Sequence, residues 1–163
     1  MDTDDDGEAD RFHRGLHNLS ASLDVAVNTF PSPRRIVLTE WNATAFFPES
    51  CDTCIGDDGH TTDYHKYQLE EDRNLRLGMM SYTRDNVIAV TFVQVGGEAF
   101  EAALIPELDD LEASYYERFR SFVADGVDHT FLIGDLQQTA GGVTVSDWVS
   151  SMLAGESWET TRD

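Results

Sequence analysis

The stretch DRFHRGLHNLSASLDVAVNTFPSPRRIVL, residues 10–38, decides the fold. Phe12, Leu16, Leu19, Leu23 and Val27 recur at helical spacing and line one face of residues 10–30. Pro31-Ser32-Pro33 then stops the helix, because proline has no N–H to donate and its ring crowds the preceding turn. Ile36-Val37-Leu38 follows as a short, fully apolar run, the pattern of a central parallel strand covered on both faces. Helix, proline turn and buried strand together predict an α/β protein.

Working outward, residues 41–72 are irregular, with Pro48, Gly56, Gly59 and both cysteines, and leave room for a short helix over 63–72. Residues 75–80 read as a second strand and 118–124 as a third. Periodicity does not separate helix from strand over 86–95, and helix is preferred there. Over 98–116, Phe100, Leu104, Leu108, Leu111 and Tyr115 share a face, with Pro106 expected to break or kink the helix, as the first residue of a second one. Thr144 and Asp147 have the spacing of a capping box, and Val145, Trp148, Val149, Met152 and Leu153 give the last helix an apolar stripe, with Trp148 in the core.

Helices alternating with apolar strands predict a mainly parallel sheet with helices on both faces, whose chemistry sits in loops just after the strands, here after Thr39, Met80 and Ala124. The expected organisation is an acidic disordered tail over 1–10, one α/β domain over 11–155, and a frayed tail over 156–163 that contains Trp158.

Composition narrows the partners. The 31 Asp and Glu against 11 Lys and Arg give a formal charge of −20 over 163 residues. Such a surface repels itself in dilute salt and is tolerable where the Debye length shrinks to about 3 Å at 1 M, so a protein adapted to molar salt is expected. It also lacks the clustered cations that nucleic acid requires. No run reaches the length of a membrane span, and residues 1–10, with six acids, do not form a leader, so a cytoplasmic chain is expected. A small sheet with open edges predicts association of copies through an edge.

Two constellations carry chemistry. Asp85 and His129 fall in the loops after the second and third strands, in the order acid before histidine that α/β hydrolases use. In a triad the acid fixes the tautomer of the histidine, which takes the proton of the nucleophile. Spacing alone does not separate this pair from the other Asp–His pairs of an acidic chain. Cys51, Cys54, His60 and His65 offer four zinc ligands within fifteen residues, although the gap to the first histidine is short for a finger. A Cys51–Cys54 disulfide, thiols pinning a loop, plain structure with surface histidines, and a metal site all stay open. His13 and His17 lie at i, i+4 without a third ligand and read as solvated; the role of Trp41 is undecided.

The segment from Val123 through Asp128-His129-Thr130 to Leu132, followed by Gly142-Val143-Thr144-Val145-Ser146-Asp147-Trp148-Val149, resembles the carboxyl-terminal part of pectinacetylesterase-like hydrolases, the family that includes the Notum carboxylesterases. Residues 75–81 leading into Asp85-Asn86-Val87-Ile88 resemble the family's acid loop, and Asn18 through Phe30, Pro31, Arg35 and Leu38 resemble the elements before its nucleophile. The likeness covers most of residues 11–155. It implies a shortened α/β-hydrolase fold, serine-type hydrolysis of a carboxylic ester or acetylated saccharide, no cofactor, His129 as general base and Asp85 as its orienting acid. It also favours a disulfide or a structural role for the cysteines. Where the family has a Gly-x-Ser-x-Gly turn, this sequence has Thr39-Glu40-Trp41-Asn42-Ala43, with neither serine nor glycine, and the family's Gly-rich oxyanion strand has no counterpart. Ser81, Ser20 and Ser22 are the nearest alternative nucleophiles. Without elbow and oxyanion donors the chain is expected to be inactive by itself.

Overall fold

The computed structural model of the protein describes residues 48–51, 54, 61–131 and 136–163. The helix and strand expected over 10–38, the acidic tail, the Thr39–Ala43 position, Ser20, Ser22, His13, His17, Trp41 and His60 lie outside the described residues. In chain order the described elements are α1 (Thr61–Glu71), β1 (Leu77–Tyr82), a π-helical turn (Val87–Val93), α2 (Gly97–Ser114), β2 (Phe119–Ala124), a hairpin of β3 (Thr139–Ala140) and β4 (Val143–Thr144), α3 (Val145–Ala154) and β5 (Thr161–Arg162).

The strand β2 is buried at every position because it has strands on either side and apolar layers above and below. It pairs in parallel with β1, in register from Leu77 opposite Phe119 to Tyr82 opposite Ala124, and in parallel with β5, Phe122 opposite Thr161. Side chains alternate across a strand, so successive residues feed opposite cores. Leu77, Met79, Phe119 and Val123 point to one layer, where they meet Leu69 of α1, Ile88 and Ala89 of the π-helical turn, and Phe100, Leu104, Leu108 and Leu111 of α2. Met80, Tyr82, Phe122 and Ala124 point to the other, against Phe131, Ala140, Val145, Trp148 and Trp158. Among the described residues the protein is thus mixed α/β, with a three-stranded parallel sheet and helices on both faces. Each fully buried Leu, Phe or Val contributes roughly 1.5–3 kcal/mol over its exposed state.

Gly78 shows how tightly the second layer closes. A Cβ there would lie 2.8 Å from the indole of Trp148 and 3.0 Å from the sulfur of Met152. Only a residue without a side chain lets α3 settle onto β1. On the other face Arg118 donates to the carbonyls of Leu69 and Asp72, the latter at 3.1 Å, and so occupies acceptors left open at the end of α1.

Several expectations need correction. Pro106 neither breaks α2 nor starts a new helix; α2 is continuous from Gly97 to Ser114. Phe100, Leu104, Leu108 and Leu111 stay in phase through the proline, which sits on the exposed side, and their burial outweighs a local cost of about 3 kcal/mol. Residues 156–163 are not a frayed tail. Thr161–Arg162 forms β5, Trp158 is buried, and the carbonyls of Trp158 and Glu159 accept from Arg120 Nε and Trp148 Nε1. Leu153, counted in the apolar stripe of α3, is 77% exposed because it falls one position round from the edge of the buried face set by Val145 and Trp148. The segment 86–95 is helical, with its core in the wider π form. Thr144 does cap α3, its hydroxyl accepting the Asp147 N–H at 3.0 Å. Among the described residues, no helix is long and apolar enough to cross a membrane.

Candidate active site

The strands β1 and β2 end side by side, and their loops stay paired beyond the sheet. The amide of Thr83 donates to the Ala124 carbonyl at 2.9 Å, that of Arg84 to Gly126 at 2.9 Å and that of Asn86 to Val127 at 3.0 Å. Side chains add to this. The buried Thr83 hydroxyl donates to Asp125 Oδ1 at 3.1 Å and accepts the Gly126 N–H at 3.2 Å, and the Arg84 guanidinium pairs with the same carboxylate. Gly126 has φ +151°, and a Cβ there would meet the Tyr82 ring at 3.1 Å, so this loop approaches β1 as only glycine allows.

That alignment brings Asp85 and His129 together. Asp85 is almost fully buried, 1% exposed, yet each of its oxygens has donors. Oδ1 accepts the amides of Val87 at 3.0 Å and Ile88 at 2.9 Å, the first N–H groups of the π-helical turn, which have no partner inside it. Oδ2 lies 2.8 Å from His129 Nδ1. With Nδ1 donating to that carboxylate, the lone pair of the neutral imidazole is on Nε2. The imidazole, 23% exposed, is therefore held by a buried acid in the tautomer a general base requires. A carboxylate already bound by two fixed amides cannot swing, so it orients the ring it contacts.

The other candidates fall differently. Ser81 is buried in β1, and its hydroxyl donates to the Tyr82 carbonyl at 3.1 Å. Cys51 and Cys54 are joined as a disulfide, with both residues buried. A cystine has no thiolate to give a metal, so of the readings open for these cysteines the structure carries the cross-link. His65, the remaining described member of the proposed zinc set, is buried in α1 with Nδ1 3.3 Å from Gln68 Oε1. Among the described residues, no group of three His, Cys, Asp or Glu side chains is placed to hold a metal ion.

Sequence reading passed over Thr83, Arg84 and Asp125, which tie the two loops, and Asp163, whose carboxylate accepts the amides of Asp125 at 3.0 Å and Gly141 at 2.9 Å. These two bonds hold the Asp163 carboxyl below its usual range, against a small opposing effect of burial. The signal available was Thr83-Arg84 directly after one strand facing Asp125-Gly126 directly after the next. It has meaning only once the strands are known to be neighbours.

No family model matches the chain, and no curated protein or solved structure does either.

Proposed function

We propose that the chain is an α/β-hydrolase-like domain of the pectinacetylesterase and Notum type, which keeps the acid and base of a carboxylic ester hydrolase, lacks the serine, and is inactive by itself. The observation that carries this reading is the 2.8 Å contact between His129 Nδ1 and a buried, doubly capped Asp85 at the carboxyl ends of two adjacent parallel strands. A three-stranded parallel sheet with helices on both faces is compatible with it.

Given a serine, His129 Nε2 would take the hydroxyl proton as the oxygen attacks the ester carbonyl, then return it to the departing alcohol. Water would cleave the acyl-enzyme by the same exchange. Thr39-Glu40-Trp41-Asn42-Ala43 provides neither a serine nor a glycine turn. The Ser81 hydroxyl, buried and committed to a backbone carbonyl, is a poor replacement. A domain of this kind is suited to binding an ester or an acetylated saccharide without turning it over.

The test is fluorophosphonate labelling and acetyl-ester hydrolysis by the purified chain in molar KCl, beside His129→Ala. The expected result is a folded protein with neither label nor turnover. Label and turnover that vanish in His129→Ala would refute inactivity and establish a working esterase, with the labelled serine located by mass spectrometry. Label that persists in His129→Ala would refute the assignment of His129 as the base.

A further inference from the structure

We infer that Thr83 is the positioning residue of the Asp85–His129 pair: its buried hydroxyl locks the loop after β1 to the loop after β2 and so sets the distance between acid and base.

Asp85 and His129 stand on different loops, three residues beyond Tyr82 and five beyond Ala124, the last paired residues of the two strands. Backbone bonds bring the loops alongside each other, but the loop after β2 turns through Gly126, a residue with the widest backbone freedom. Thr83 supplies the constraint at that turn. Its residue is 6% exposed, its hydroxyl accepts the Gly126 N–H at 3.2 Å, and its single proton goes to Asp125 Oδ1 at 3.1 Å, with the Gly126 carbonyl at 3.4 Å as a second acceptor. One hydroxyl thus joins the carboxylate just before the glycine to the glycine's own amide. Removing it leaves the part-buried Gly126 N–H without this partner, and an amide so placed seeks a new partner by moving the loop. His129, three residues further on, moves with it.

The nearest alternative is that Thr83 merely fills space. Thr83→Val keeps the branched shape and removes only the hydroxyl, whereas Thr83→Ser keeps the hydroxyl and removes a methyl, so the two variants separate the roles. The reading rests on the Asp85–His129 pair proposed above, but not on its activity. The readout is accordingly the hydrogen bond itself: the solvent exchange rate of the His129 Nδ1–H proton, assigned by its loss in His129→Ala, in isotope-labelled full-length chain in molar KCl.

Thr83→Val is expected to speed that exchange about tenfold or to abolish the resonance while the β1–β2 amides stay protected, with Thr83→Ser close to wild type. Exchange in Thr83→Val within twofold of wild type would overturn the inference, as would equal loss in Thr83→Ser. Should Thr83→Val not fold, Asp125→Ala, at an exposed side chain, removes the same acceptor and the Arg84 pairing. It is expected to speed exchange several-fold, and an unchanged rate would overturn the inference. Label and turnover that refute inactivity, or label that persists in His129→Ala, together with a protected Nδ1–H would count against the proposed function alone.

Discussion

The two faces of the sheet are closed in different ways. On the first, Leu69, Leu104, Leu108 and Leu111 join Phe100 and Phe119 in a largely aliphatic layer under one long helix and one shorter one. On the second, a chain of rings does the packing: Tyr82 stacks on Phe131 at 4.2 Å, Phe131 meets Phe122 edge-on, Phe122 meets Trp148, and Trp148 lies 5.2 Å from Trp158. That layer is assembled from short pieces remote in sequence, held by indole and guanidinium donors to the backbone of residues 158–159. Aliphatic layers tolerate adjustment, since many similar side chains share the space. An aromatic layer built from single residues depends on each one.

The sharpest test compares Trp148→Ala with Leu108→Ala by urea unfolding at fixed KCl. Trp148→Ala is expected to cost about 4 kcal/mol and to open residues 156–163 to carboxypeptidase, because both the indole and its bond to the Glu159 carbonyl are lost. Leu108→Ala is expected to cost about 3 kcal/mol and leave that segment protected. Equal exposure of the segment in both variants would show that the faces are not independent.

Gly78→Ala is the next test, with an expected loss of roughly 1–3 kcal/mol, since an added methyl drives the Trp148 indole from β1. Unchanged stability would mean that α3 shifts freely, contrary to a keystone role for Trp148.

The smallest effects are titrations, one for each face. Tyr115, at the end of α2, donates its hydroxyl to Glu70 of α1 at 2.8 Å; burial first and this bond second push its phenol up to about 12. Its contribution is complete below the ordinary value of about 10 and is lost as pH rises towards 12. A late step in tyrosinate absorbance should vanish in Tyr115→Phe. The Asp163 carboxylate, with its folded value depressed, contributes above the ordinary value of about 3.8 and loses that contribution as pH falls through the folded one. The amide resonances of Asp125 and Gly141 should shift in that acid range and cease to do so in Asp163→Asn. Alkali therefore loosens a link on the first face, and acid a clasp beside the second.

Much of the first face was legible in the sequence. Phe100, Leu104, Leu108 and Leu111 announce a buried helical stripe by spacing alone, and only the effect of Pro106 was misjudged, because propensity is local and the burial that overrides it is not. The second face was less legible. Residues 156–163 have no periodicity, and Trp158 gains its place from Trp148 and Arg120, whose positions no local pattern conveys. The acid and the histidine were readable as loop residues after strands, but their contact was not.

By itself the sequence determined the acidic composition, the alternation of helix and strand among the described residues, and the absence of serine and glycine at Thr39–Ala43. These follow from residue identity and short-range period, which need no fold to be read. Only the tertiary structure decided that β1 and β2 are parallel neighbours in a register that carries Asp85 to within 2.8 Å of His129, that Thr161–Arg162 pairs with β2, and that Cys51 and Cys54 close on each other. Each of these is a meeting of groups whose partner is fixed by packing, and packing is a property of the whole chain.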